Sequence, residues 1–236
     1  MARKPRDKTA TTAQTRAGRA AVASARRSNS GRGWWIGVAA IVLVVAVVVI
    51  LGVTLSHPGA GTAAANPQQD ANPALLASTG GQASGATVDG IASSSTEQVL
   101  FHIHAHLAIY INGNPKLIPY GIGIVLPYQL ATSRDGQFVN GGSAFYWLHT
   151  HDDTGVIHIE SPQRRTFTLG DFFDIWHQPL SPNQIGPASG PVTAYVNGTP
   201  VTGDPRAIAL DQHAVIQLDL GGVRTAPRPH TFPAGL

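Results

Sequence analysis

The chain has 236 residues, of which 43% are apolar, and it contains no cysteine. The lack of cysteine excludes a fold held by disulfides and removes thiolates from the set of metal ligands. Charge is concentrated at one end: residues 1–33 contain nine Lys or Arg and one acid, a net +8, whereas the rest has seven basic and twelve acidic residues, a net −5. The basic segment has no aromatic residue and no folding signal, so no nucleic-acid partner is predicted.

An uncharged apolar segment follows the basic one. Residues 34–55 are rich in Val, Ile, Ala and Leu, and about 20 such residues in a helix cross the roughly 30 Å hydrocarbon layer of a bilayer. Basic residues before a span favour a cytoplasmic amino terminus, and Trp34 and Trp35 are suited to the membrane interface. The sequence therefore predicts a cytoplasmic tail at 1–33, a transmembrane helix at 34–55 that contacts the lipid bilayer, and an extracytoplasmic carboxyl-terminal part of a cell-membrane protein.

A cleaved signal peptide is the alternative, because Gly-Thr-Ala-Ala-Ala at 61–65 offers small residues after the apolar run. Signal peptides have apolar cores of about 7 to 15 residues, which is shorter than this segment, so an uncleaved signal-anchor is favoured.

The remaining boundaries follow from composition. Residues 56–94 are rich in Ala, Gly, Ser, Pro, Gln and Asn without a sustained period, which predicts a flexible linker. A histidine-rich extracytoplasmic domain is expected at 95–222. Residues 223–236 contain three prolines and are expected to form an irregular tail.

Six of the ten histidines lie in two short stretches. In the first, which begins at Phe101, a two-residue period places His102, His104 and His106 on one face and apolar side chains on the other. This pattern predicts a half-buried strand that carries a row of histidines.

The second stretch, residues 145–160, predicts a hairpin around Asp-Asp-Thr-Gly at 152–155. A four-residue turn pairs His149 with His158. One face then carries Trp147, His149, His151, Val156, His158 and Glu160. A three-residue turn with a bulge at Gly155 would shift the pairing by one and move His158 to the opposite face. The first register is favoured because it separates polar from apolar side chains.

One helix is predicted after the hairpin. Leu169, Phe172, Phe173 and Trp176 recur at i, i+3, i+4 and i+7, with Thr168 as the amino-terminal cap and Pro179 beyond the end. The other expected segments are strands at 116–119, 191–197, 208–210 and 214–220, an extended segment at 121–126 and a loop at 127–143.

The order of elements predicts an α+β fold, a mainly antiparallel sheet with one packed helix, preceded by the single transmembrane helix and the linker. Strand, turn, strand, helix, strand and strand at 144–220 is typical of a β-grasp arrangement. A β-sandwich or a small barrel with one helix remains open, because the strand pair at 99–119 extends either one.

The histidine pattern indicates a metal site. Histidines at i and i+2 of a strand lie about 6.6 to 6.8 Å apart on one face, so both rings reach one ion at about 2.0 to 2.1 Å. The candidate ligands are His102, His104, His106, His149, His151 and His158, with carboxylates from Asp152 and Glu160. Nitrogen and oxygen ligands suit a divalent transition metal, zinc or copper, and not Cu⁺, which prefers sulfur.

These features predict a membrane-tethered extracytoplasmic domain that binds a divalent transition metal for sensing, storage or delivery. One alternative is a metal-dependent hydrolase with Glu160 or Asp153 as base, although the chain has no His-Glu-x-x-His helix. A metal-free envelope interaction module, pH-sensitive histidine contacts and a solvated strand face also remain open. Nothing in the sequence identifies a protein partner.

Three runs resemble one group of proteins. They are His-Ile-His-Ala-His-Leu at 102–107, Trp-Leu-His-Thr-His-Asp-Asp-Thr-Gly-Val-Ile-His-Ile-Glu-Ser-Pro at 147–162, and Thr-Leu-Gly-Asp-Phe-Phe-Asp-Ile-Trp at 168–176. Together they look like a group of uncharacterised, membrane-anchored bacterial and archaeal ectodomains, over roughly residues 95–220. The resemblance implies an extracytoplasmic location and no particular activity.

The charge asymmetry around residues 34–55 makes the topology testable. Protease added outside intact cells should remove the histidine-rich domain and leave the basic tail protected, because the bilayer shields the cytoplasmic side. Immunoblotting for tags at the two ends measures this, and recovery of the domain in the cytoplasmic fraction would contradict the predicted topology.

Overall fold

The structure is a computed structural model that describes residues 62–63 and 67–236. The predicted tail and the predicted membrane span lie outside these residues. Within them, no helix combines the length and the apolar character needed to cross a membrane.

The described part consists mainly of short strands. The strands are β1 (Thr62–Ala63), β2 (Ser93–Ser94), β3 (Phe101–Ile111), β4 (Asn114–Lys116), β5 (Ile124–Val125), β6 (Tyr128–Ser133), β7 (Gly136–Gly141), β8 (Ala144–Tyr146), β9 (Leu148–His149), β10 (Val156–Ser161), β11 (Leu180–Ser181), β12 (Gln184–Ile185), β13 (Ala188–Ser189), β14 (Val192–Val196), β15 (Thr199–Val201) and β16 (Val215–Leu220). The helices are α1 (Pro67–Asp70), α2 (Leu169–Trp176) and a 3₁₀ turn, Pro205–Ala207.

The main sheet has the strand order β9, β10, β3, β16, β14, β15, and β4 pairs with the far end of β3. Only β3 and β16 run parallel; the other neighbours are antiparallel. The prediction of an α+β fold with a mainly antiparallel sheet and one packed helix is therefore confirmed. The range 144–220 proposed for the sheet is too short, because the central strand β3 begins at Phe101.

The two faces of β3, β10 and β9 differ in chemistry. One face contributes apolar side chains to the main hydrophobic core: Ala105, Leu107, Ile109, Leu148, Ile157 and Ile159. Helix α2 joins the same core through the four residues predicted from its periodicity, which are fully buried. Because side chains alternate along a strand, the histidines are left for the opposite face.

The helix begins with the predicted cap. Thr168 accepts a hydrogen bond from the Asp171 backbone at 3.2 Å, and the Asp171 carboxylate accepts one from the Thr168 backbone at 2.8 Å. This reciprocal pair satisfies two amides that the first helical turn leaves without partners. The helix ends where His177 adopts a left-handed conformation, with φ of 56°.

Three segments differ from the expectation. Residues 127–143, predicted as a loop, contain the hairpin of β6 and β7, whose short polar strands lack a clear alternation. Residues 208–210, predicted as a strand, form only an isolated bridge between Thr168 and Ala209. The return strand, predicted at 116–119, is β4 and begins earlier, at Asn114, because Asn112 and Gly113, both at positive φ, close a tight two-residue turn directly after β3.

The predicted linker at 56–94 is wrong for its second half. Leu76, Ala83 and Ile91 are buried in the main core. The Gln82 side chain donates to the backbone oxygen of Gly121 at 2.9 Å and accepts from the Gly123 amide at 2.9 Å. Between α1 and β2 the segment has only isolated bridges and no helix or strand, so its buried residues follow no period that the sequence reveals.

The predicted irregular tail at 223–236 contains no helix or strand. It nevertheless packs on the domain, since the Thr225 amide donates to Asp219 at 2.8 Å and the His230 ring stacks on His106 with centroids 3.8 Å apart.

Replacing Phe172 with alanine tests the assignment of the core. Phe172 is completely buried and contacts the rings of Phe173 and Trp176, so the free energy of unfolding should fall by about 3 to 5 kcal/mol. Urea denaturation measures the change. Leu100→Ala is the control, because this side chain is 87% exposed and should change the free energy by less than about 0.5 kcal/mol. Equal effects of the two substitutions would contradict the assignment.

Candidate metal centre

Strand register brings three histidines side by side on the polar face of the sheet. His158 of β10 lies opposite His149 of β9 and, on its other side, opposite His104 of β3. The predicted pairing of His149 with His158 is thus confirmed, and with it the register of the four-residue turn. Directly opposite residues have Cβ atoms about 4.5 to 5.5 Å apart, so three imidazoles meet across three strands.

A first group of donor atoms forms around Glu160, which lies opposite His102. The Nε2 atom of His102 is 3.0 Å from Glu160 Oε1 and 3.0 Å from His104 Nε2. The Nδ1 atom of His158 is 3.4 Å from the same carboxylate oxygen. These four donor atoms all lie within 4.8 Å of one another, which is close enough to surround one ion.

A second group forms around His149 and His151, whose Nε2 atoms are 3.1 Å apart. Glu97 Oε1 is 3.4 Å from His151 Nε2 and 4.0 Å from His149 Nε2. Glu160 Oε2 is also 4.0 Å from His149 Nε2. His158 lies within 4.8 Å of both histidines of this group as well, so it stands between the two groups.

Backbone carbonyls fix the tautomers of His149 and His151. His149 Nδ1 is 2.9 Å from the Tyr146 oxygen, and His151 Nδ1 is 2.6 Å from the Val139 oxygen. A carbonyl only accepts hydrogen bonds, so each Nδ1 must carry a hydrogen, and in a neutral ring Nε2 then presents a lone pair. Two lone pairs that face each other at 3.1 Å repel unless a proton on one Nε2 or a metal ion lies between them. A metal-binding histidine is held by its other nitrogen in this same way.

The donor atoms are largely withdrawn from water. His104, His149, His151 and Glu160 are buried. The Glu160 Oε2 atom is buried and has no hydrogen-bond partner among the described residues. A buried carboxylate oxygen without a partner is costly, and a bound cation would satisfy it. His102 and Glu97 are the exposed members, with about a third of each side chain accessible.

Burial keeps most of the imidazoles neutral. It lowers the pKa of His104 and of His149 to about 4, and it lowers the pKa of His158 well below its usual range. Neutral imidazole is the form that binds metal.

Nearby carboxylates raise the pKa values of the remaining two histidines, His102 and His151. The hydrogen bond to Glu160 raises the pKa of His102. Burial opposes protonation of His151, but Glu97 and the Val139 carbonyl outweigh it and raise its pKa. Burial would also raise the pKa of Glu160, yet the hydrogen bonds from His102 and His158 hold that pKa far below its usual range. The cluster therefore carries a carboxylate that stays ionised and several neutral nitrogen donors.

Neighbouring segments hold the rings in place. Phe138 of β7 stacks on His151 with centroids 4.8 Å apart and planes 6° apart, and Phe145 lies edge-on to His149 at 5.7 Å. Gly123 approaches β9 so closely that a Cβ there would lie 2.1 Å from the Leu148 oxygen. The hairpin that was predicted as a loop and the segment at 121–126 are thus part of the site's support.

Two predicted ligands stay outside the cluster. His106 lies opposite Val156, one row beyond the pairing of His104 and His158, and its Nε2 atom is 3.1 Å from the Thr154 oxygen. Asp152 caps the turn, since its Oδ1 accepts from the Thr154 amide at 3.0 Å. The structure therefore does not bring these two predicted ligands together with the other six.

Trp147 also departs from the predicted histidine face. A bend at this residue separates β8 from β9, and its side chain joins the main core, with its ring edge-on to Phe167 at 6.3 Å.

Glu97 is the member that sequence reasoning missed. It lies in a loop before β3, where no period marks it. The composition did set Glu97 apart. Of the thirteen acidic residues only Glu97 and Glu160 are glutamates, and both belong to the cluster. The longer side chain reaches the ring nitrogens from outside the histidine strands.

The chain matches no protein-family model, no curated protein and no solved structure.

The neutral buried histidines predict that the metal-free protein loses stability in acid. Between about 4 and the ordinary value of 6.5, His149 binds a proton in the unfolded chain but not in the folded one, so stability falls as pH falls through this window. His149→Gln removes that difference and should make the slope of stability against pH shallower. Urea denaturation of chelator-treated protein at a series of pH values measures the slope, and an unchanged slope would contradict burial of a neutral imidazole.

Proposed function

We propose that this protein binds a divalent transition metal in an extracytoplasmic domain that is tethered to the membrane. The observation that carries the proposal is the pair of Nε2 atoms of His149 and His151, 3.1 Å apart, with both opposite ring nitrogens held by carbonyls. A cation between them relieves the repulsion of their lone pairs. The buried Glu160 Oε2 atom, which has no other partner among the described residues, supports the same reading.

The donor set favours zinc or Cu²⁺. It consists of imidazole nitrogens and carboxylate oxygens, and the absence of cysteine removes the sulfur that Cu⁺ prefers. Donor atoms around a tetrahedral ion at about 2.0 to 2.1 Å are about 3.3 Å apart. The closest pairs in the cluster lie 3.0 to 3.4 Å apart, so only small adjustments are needed.

Binding is favoured over hydrolysis because most donor atoms are buried. Only His102 and Glu97 expose about a third of their side chains, which leaves little open surface for a substrate next to the ion. Sensing, storage and delivery of the metal each fit a buried site with an exposed edge.

The membrane location rests on the sequence. The uncharged residues 34–55 and the +8 segment before them support a single span with the amino terminus in the cytoplasm. The resemblance to membrane-anchored ectodomains supports the same location.

We also propose that the main sheet over 101–220 has a β-grasp-like arrangement. It is supported by the sequence order of an antiparallel pair, a helix and a second antiparallel pair, with β16 inserted parallel to β3.

Metal titration of the full-length protein tests the proposed function. Isothermal calorimetry with Zn²⁺ at neutral pH should detect binding, and His158→Ala should weaken it by tenfold or more, because His158 stands between both groups of donors. His106→Ala is the matched control, since this histidine lies on the same face of β3 but contacts the turn instead, and it should bind like the wild type. Wild-type binding no tighter than that of His158→Ala would contradict the proposal.

A further inference from the structure

The cluster offers more donors than one ion uses. It contains five imidazoles and two carboxylates: His102, His104, His149, His151, His158, Glu97 and Glu160. A zinc ion in a protein takes four ligands, or at times five. A single ion would therefore leave at least two of these side chains without a role, although most of them are buried.

The donors form one set around His104 and two overlapping sets that share His149, one with His151 and His158 and one with Glu97 and Glu160. His102 and His104 are joined to each other and to Glu160 Oε1 by contacts of 3.0 Å. His149 and His151 are 3.1 Å apart, and Glu97 Oε1 is 3.4 Å from His151. The sets of donors that lie within 4.8 Å of one another place His104 and His149 in different groups. Ligands of one ion at about 2.1 Å are never more than about 4.2 Å apart, so the two groups surround different points.

Glu160 connects the two groups through its two oxygens. Oε1 contacts His102 at 3.0 Å and His158 Nδ1 at 3.4 Å. Oε2 faces His149 Nε2 at 4.0 Å and has no hydrogen-bond partner among the described residues. A carboxylate that bridges two ions gives one oxygen to each. This explains why Oε1 faces His102 and His158 while Oε2 faces His149.

We infer that the cluster binds a pair of divalent transition-metal ions bridged by the Glu160 carboxylate. The first ion takes His102, His104, His158 and Glu160 Oε1. The second takes Glu97, His149 and Glu160 Oε2, which lie within 4.8 Å of one another, and His151, whose Nε2 atom is 3.1 Å from His149 Nε2, completes it after a small movement toward Glu160. Each ion thus receives four donors, and the inference rests on the metal binding proposed above.

Charge is consistent with this arrangement. Two divalent ions bring four positive charges, and the cluster supplies two carboxylates, one of which lies between the ions and reduces their repulsion. Paired metal ions in proteins are commonly about 3.5 to 4 Å apart, a separation that one bridging carboxylate spans.

Metal stoichiometry of the full-length protein tests the inference. After loading with Zn²⁺ and removal of excess metal, elemental analysis should find two ions per chain. The double variant His102→Ala/His104→Ala should retain one ion, and so should His149→Ala/His151→Ala, because each removes the ligands of one position. His106→Gln, on the same strand but outside the cluster, should retain two.

Loading with Cu²⁺ gives a second measurement. Two copper ions bridged by a carboxylate couple magnetically, so the electron paramagnetic resonance signal per copper should be lower in the wild type than in either double variant. One ion per wild-type chain would overturn the paired site and leave the proposed function intact. Complete loss of metal from both double variants would also overturn it, because it would show one shared ion. No metal in any loaded sample would overturn the proposed function itself.

Discussion

The antiparallel register between β3 and β10 is the constraint on which the rest of the site depends. It sets His104 opposite His158 and His102 opposite Glu160, while Ala105 and Ile157 on the reverse face enter the core. A slip of one residue would expose the apolar row and bury the histidines against α2. The burial of the core therefore fixes the geometry of the polar face, so the free energy that folds the domain also aligns the donors.

The polar face buries titratable side chains, which protein interiors mostly exclude. Several imidazoles and one carboxylate are buried together, and their neutral or paired states are maintained by burial and by backbone carbonyls. Such a concentration of polar atoms contributes little to stability without a ligand and makes the metal-free domain sensitive to acid. The domain compensates with a separate apolar core around α2, in which the four predicted helix residues are fully buried.

The elements and ligands could be predicted from the sequence wherever apolar residues recur with a strand or helix period. The alternation in β3, the turn at 152–155 and the spacing along α2 led directly to the observed strand, register and helix, and six of the eight predicted ligands lie in the cluster. The errors arose where no period exists. Residues 75–94 pack through scattered contacts, the polar hairpin of β6 and β7 has no alternation, and Glu97 approaches from a loop. His106 satisfied the same alternation as His104, and only the position of the opposite strand excludes it.

The different exposure of the donor side chains determines which of them would exchange first if a metal ion were bound. Glu97 lies in the loop before β3 and His102 is the second residue of β3, and these two expose about a third of their side chains. An incoming chelator would reach these two first, whereas His149 and His104 are buried and less accessible to it. If a metal binds, exchange of ligands would therefore begin at the Glu97 edge of the cluster.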